Sequence, residues 1–211
     1  MKSDIIKVTS SGEGTEDALA AALASAAYRG LSHKDALHLR LLAEEVLGMV
    51  RQITGETETE FWVESANNAF EIHLVAHPLV TGSMRKELLK ASSSGKNEAS
   101  RGVMGKLRDI FDRALFSRDM DGLPDDYAQG LMMPVDLYTS DPTTYAVAAD
   151  VLAWSMKKYK AAIENEAAQD DSAKEKWDEI EKSIIVNIAD EVKIFIAGNT
   201  VEMTVYKKFE N

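Results

Sequence analysis

Two alternating hairpins, set far apart in the chain, constrain its fold more than any other feature. In the first, Phe61 and Val63 alternate with Trp62 and Glu64 ahead of Asn67-Asn68. Phe70, Ile72, Leu74 and Ala76 then alternate with Glu71, His73, Val75 and His77. Successive side chains of a strand point to opposite faces, so each arm carries one apolar and one polar face. Asparagine tolerates left-handed turn conformations, which suits Asn67-Asn68 to the connection. Pro78 removes a ladder donor and ends the run. The second hairpin takes residues 192–196, a Gly198-Asn199 turn, and residues 201–209 with Glu202, Thr204 and Lys208 interleaved.

A sheet with one apolar face needs a cover, and the other segments supply it. Residues 5–8 form an apolar run before the Ser/Gly-rich turn at 10–14, which predicts a first strand. Thr15 is placed to cap a helix with Glu16 and Asp17 in its first turn, and Gly30 to stop it. Ser32 with Asp35 resembles a capping box. In the helix that follows, Leu39, Leu42, Ala43, Val46, Met49, Val50 and Ile53 form an apolar stripe. Arg40, Glu44, Gly48 and Arg51 share another face.

Between the hairpins the spacing predicts a helix around residues 103–114 and a Gly/Pro/Asp-rich connection over 119–142. A helix opened by Asp141-Pro142 carries Val151, Leu152, Tyr159 and Ile163. Another starts at Ser172 and bears Trp177, Ile180, Ile184 and Ile188. This order predicts an α/β (α+β) protein: a two-layer sandwich over residues 1–211 as one domain, with a long helical insertion at 79–174.

The chain is acidic, with a formal charge of -11, and holds no cysteine. Disulfides, zinc-thiolate sites and thiol nucleophiles are excluded. Such a charge is repelled by phosphate backbones and anionic lipid, so neither nucleic acid nor membrane is an expected partner. No apolar run approaches the roughly 18 residues of a membrane span, and no signal-peptide layout opens the sequence, so a cytoplasmic location is expected.

The helix through Leu42-Ala43-Glu44-Glu45-Val46-Leu47-Gly48, the hairpin over 61–77, and the closing stretch from Asp190-Glu191-Val192 to Gly198-Asn199-Thr200-Val201-Glu202-Met203 together resemble the GHKL (histidine-kinase-like) ATPases. Within these, the small bacterial anti-sigma-factor serine kinases are the most similar group. The likeness covers about residues 5–78 and 175–209 and requires the last hairpin to pair beside the first. It implies Glu44 as the general base of phosphoryl transfer. It also implies a phosphate-holding loop, with Gly95, Lys96, Arg101, Gly102 and Gly105 as one candidate set and the start of a helix over 175–189 as the other.

The pattern departs from the family at two places. The Asn expected to ligate Mg²⁺ is Gly48, and the Asp expected to accept a bond from adenine is Ala76, with His77 and Pro78 following. Two functions are therefore expected. The first is a nucleotide-independent regulatory or binding module with a protein partner or homo-oligomer and no cofactor. The second is an active serine protein kinase using ATP and Mg²⁺. A third reading is an unrelated α/β domain of the same element order. For Glu44 the plain alternative is a solvated helix face with an Arg40–Glu44 pair. For His33, His38, His73 and His77 it is ordinary hydrogen bonding or exposure, since no third fixed ligand supports a metal.

Overall fold

The structure, a computed structural model, describes residues 1–52, 57–78, 131–132, 151–167, 183–197 and 200–210. Among them the elements run β1 (Ile6–Thr9), α1 (Thr15–Tyr28), α2 (His33–Gln52), β2 (Thr57–Ala66), β3 (Ala69–Pro78), β4 (Leu131–Met132), β5 (Val151–Ser155), α3 (Met156–Ala167), α4 (Ile184–Ile188), β6 (Glu191–Ala197) and β7 (Thr200–Lys208). The strands form one sheet in the order β1-β2-β3-β7-β6-β5-β4, with every pairing antiparallel. The α+β class holds. The closing hairpin lies beside the first, joined through β3 and β7.

Period-two alternation decides which face is covered. Phe61, Val63, Phe70, Ile72, Leu74 and Ala76 are buried, as are Val192, Ile194, Val201, Met203 and Val205. They meet Ala18, Leu19, Ala22 and Ala26 of α1, and Leu39, Leu42, Ala43, Val46 and Leu47 of α2, in one apolar cluster. Each large side chain so removed from water contributes about 1.5–3 kcal/mol. Trp62, Glu64, Glu71, His73, Glu202 and Thr204 stand on the opposite face and stay partly exposed.

Local chemistry sets the helix ends. Asp35 donates its backbone N–H to Ser32 Oγ at 3.2 Å, so Ser32 caps α2 as expected. The Asp35 carboxylate reaches back to the Ser32 hydroxyl, which donates to Oδ2 at 2.6 Å, in place of the backbone N–H that completes a capping box. Gly30 has φ 68°, as a left-handed helix stop requires. The start of α1 differs from expectation. Gly14, not Thr15, is the capping residue, with φ 79°, while Thr15 begins the helix with its hydroxyl buried and unbonded. A β-carbon at position 14 would fall 2.0 Å from the Lys7 carbonyl oxygen, so only glycine lets the turn close against β1. That turn also covers the open edge of β1, where Thr9 donates its backbone N–H to the Glu13 carbonyl at 3.1 Å.

Two expected helices are corrected. Residues 151–155 are strand, because pairing Val151 with Ala197 through Ser155 with Lys193 satisfies their backbone groups on β6. Their apolar residues fit both periods, and the sheet supplies the partner that a helix would not. Ser155 then opens α3, its hydroxyl oxygen accepting from Lys158 N–H at 3.4 Å while Glu191 accepts from Lys157 N–H at 3.1 Å. Within 79–174, expected as a helical insertion, β4 and β5 thus join the same sheet. A continuous helix over 175–189 is likewise broken: Ser183 is extended, and α4 spans five residues beyond it. The expected helix at 103–114 and the Gly198-Asn199 turn lie outside the described residues, although Ala197 faces Thr200 in register.

Candidate functional site

The helix expected to carry chemistry presents little of it. Glu44 is exposed on α2 and Glu45 is half-buried. Among the described residues no ion pair joins Arg40 to Glu44. Among the described residues, the helix's own backbone aside, nothing lies within 4 Å of the place a β-carbon on Gly48 would occupy. Gly95, Lys96, Arg101, Gly102 and Gly105 lie outside the described residues. Ala76 is fully buried in the apolar layer, opposite Thr59 on one side and Val201 on the other.

Polar groups gather instead on the face of the sheet opposite α1 and α2. The register places Trp62 opposite His73, and their rings stack at 4.7 Å with 3° between planes. Glu202 Oε1 lies 3.6 Å from His73 Nδ1, which also shares a 3.4 Å contact with the Thr204 hydroxyl. Glu71 Oε2 stands 3.3 Å from His73 Nε2 without completing a hydrogen bond. Lys2 holds its ammonium 4.6 Å over the Trp62 ring and 3.3 Å from Glu64 Oε1. This combines a cation–π contact with an ion pair. The Trp62 indole N–H donates to the same carboxylate at 2.9 Å. A cavity of about 360 Å³ opens beside this group, lined by Met1, Lys2, Glu64, Ser65, Ala66, Ala69 and Glu71.

The four histidines separate. His33 and His77 are exposed, and His38 lines a second cavity of about 430 Å³ with Asp35, Asp190 and Lys207 at the start of α2. Among the described residues no three His, Asp or Glu side chains converge as metal ligands do. No helix among those residues is long and apolar enough to cross a membrane.

Trp62, by its indole N–H, holds the Glu64 carboxyl below the ordinary carboxylate range; Lys2 and His73 act in the same direction, and desolvation opposes them. A carboxyl so lowered contributes stability above its unfolded value, and that contribution is lost as pH falls through the folded value. Trp62→Phe keeps a ring against His73 and removes the donor. It is expected to raise the Glu64 titration toward the ordinary range, so that acid weakening begins at higher pH. Carbon-detected NMR titration of the side chain checks this, and an unmoved midpoint would assign the lowering to Lys2.

The group on this opposite face was not foreseen as a site. A two-residue turn at 67–68 carries its signal, because that turn alone sets Trp62 against His73 and Glu64 against Glu71. Scanned against protein-family models, curated proteins and solved structures, the chain finds no match.

Proposed function

We propose that this chain is a nucleotide-independent protein-binding module on a scaffold that resembles the GHKL ATPases, serving bacterial signalling or transcription control. The observation that carries this reading is Ala76. Where the family accepts a bond from adenine, this chain has a methyl group with no exposed surface, enclosed by its core. The other departures act in the same direction. Gly48 offers no ligand for Mg²⁺. The carboxylate of Glu44 is solvated on a helix face rather than held toward a substrate. The sheet face opposite α1 and α2, by contrast, carries a tryptophan with charged neighbours, the type of surface on which protein partners find their anchoring contacts.

Isothermal calorimetry with ATP and Mg²⁺ tests the reading. No saturable heat is expected up to millimolar nucleotide, and micromolar binding would sink it in favour of the kinase alternative.

A further inference from the structure

Helix α1 is apolar on both of its sides. Ala18, Leu19, Ala22 and Ala26 face the core, while Ala20, Leu23, Ala24, Ala27 and Tyr28 recur at helical spacing on the outer side and are exposed. A helix on a protein surface ordinarily turns its polar residues outward, and one that is apolar all round is ordinarily buried. From Ala18 to Tyr28 there is no charged residue, in a chain of which 28% of residues are charged. Nor is the outer stripe alanine alone, since Leu23 is 37% exposed and Tyr28 70%. Charges of opposite sign stand at its two ends. Glu16 and Asp17 occupy the first turn, and Arg29 and Lys34 follow the last. Among the described residues none of these four has an ion-pair partner. Arg29 gives its hydrogen bonds to the neutral Ser65, by its hydroxyl at 3.0 Å and its carbonyl, and lies 5.6 Å from the centre of the Tyr28 ring.

We propose that the outer stripe of α1 packs on the same stripe of a second copy of this chain, the two helices running antiparallel about a two-fold axis at Ala24. Helical spacing then sets Tyr28 of each copy against Ala20 of the other, a large side chain on a small one. Ala24 meets itself, and small side chains there let the axes approach to about 8 Å. The antiparallel sense brings the acidic end of each helix to the basic end of the other and opposes their dipoles. A parallel contact would set Glu16 and Asp17 against their own copies, in a chain already carrying a formal charge of -11. A lipid surface is the poorer occupant, because helices that lie on membranes flank their apolar face with lysine and arginine, and this one opens with two carboxylates. The pairing does not depend on the GHKL resemblance. It leaves the Trp62–His73 face, on the other side of the sheet, free for a different protein.

Sedimentation equilibrium of the full chain over roughly two decades of concentration should show a reversible monomer–dimer equilibrium. Ala24→Glu places two carboxylates on the axis and should weaken pairing by roughly a hundredfold. Its far-UV circular dichroism should be unchanged, since position 24 is exposed and glutamate suits a helix. The chain holds no cysteine, so single cysteines give a second measurement that does not require that variant to fold. Ala24→Cys chains should cross-link to one another on mild oxidation, and Ala20→Cys chains should link to Tyr28→Cys chains faster than to themselves. Lys193→Cys, exposed on β6, should not cross-link. A chain that stays monomeric throughout, whether or not it partitions onto phosphatidylcholine vesicles, would overturn the proposal. So would a dimer that Ala24→Glu leaves intact, or Ala20→Cys chains that link to themselves as fast as to Tyr28→Cys.

Discussion

An Ala76→Asp chain is expected to lose about 3–5 kcal/mol of stability at neutral pH and to gain no affinity for ATP. The substitution restores the residue type that the GHKL resemblance calls for, so it separates a site from a packing position. In an adenine pocket the new carboxylate would face solvent or ligand. Here position 76 has no exposed surface and sits among Thr59, Val201 and the apolar side chains under α1 and α2. The nearest relief is the Thr59 hydroxyl, which is buried without a hydrogen-bond partner. One donor cannot satisfy a carboxylate that accepts about four bonds. Burial would then raise the pKa of the introduced group above its unfolded value. A raised carboxyl makes the folded state bind more protons, so the deficit is expected to shrink as pH falls toward 5. Urea denaturation at two pH values measures both effects, and calorimetry with ATP and Mg²⁺ completes the experiment. Near-native stability together with nucleotide binding would reverse the account of this position.

How far the sequence exposes this architecture depends on the range of the contacts concerned. The first hairpin is legible because alternation and the Asn67-Asn68 turn lie within twenty residues, and both asparagines do take positive φ, 47° and 61°. The start of α2 is legible for the same reason: Ser32 and Asp35 supply each other's partners. Residues 151–155 were not, since Val151 and Leu152 stand at helical spacing from Tyr159 and their partner strand lies some forty residues later. Only the pairing with β6 decides between the two periods. The candidate site divides along the same line. Trp62 against His73, and Glu64 against Glu71, follow from the turn alone. The approach of Glu202 requires the non-local β3–β7 pairing, and that of Lys2 requires the bridge to Glu64. The resemblance points to Glu44, on the exposed side of α2. Alternation, carried through to register, leads to the opposite face.

Gly14→Ala is expected to destabilise the chain by about 3–5 kcal/mol, well beyond the effect of Gly30→Ala, although both glycines have positive φ. At Gly30 nothing among the described residues lies within 4 Å of the added methyl, so the substitution carries the conformational penalty of about 1–2 kcal/mol. At Gly14 the same penalty is joined by a collision. The methyl would sit 2.0 Å from the Lys7 carbonyl oxygen and 3.1 Å from its carbon, both backbone atoms that no rotamer can move. Nor can β1 withdraw cheaply. Lys7 and Val8 are held in register with Glu60 and Thr59, and Val8 is fully buried. Retreat of the turn would instead break the Thr9–Glu13 hydrogen bond and the 3.0 Å bond from Ala18 N–H to the Gly14 carbonyl that begins α1. For a chain of this length each kcal/mol lowers the melting temperature by roughly 2–4 °C, so the two variants should separate by several degrees. Urea midpoints measured side by side are the check. Equal losses at positions 14 and 30 would mean that φ alone selects glycine at both, and that the close approach of α1's first turn to β1 adds nothing.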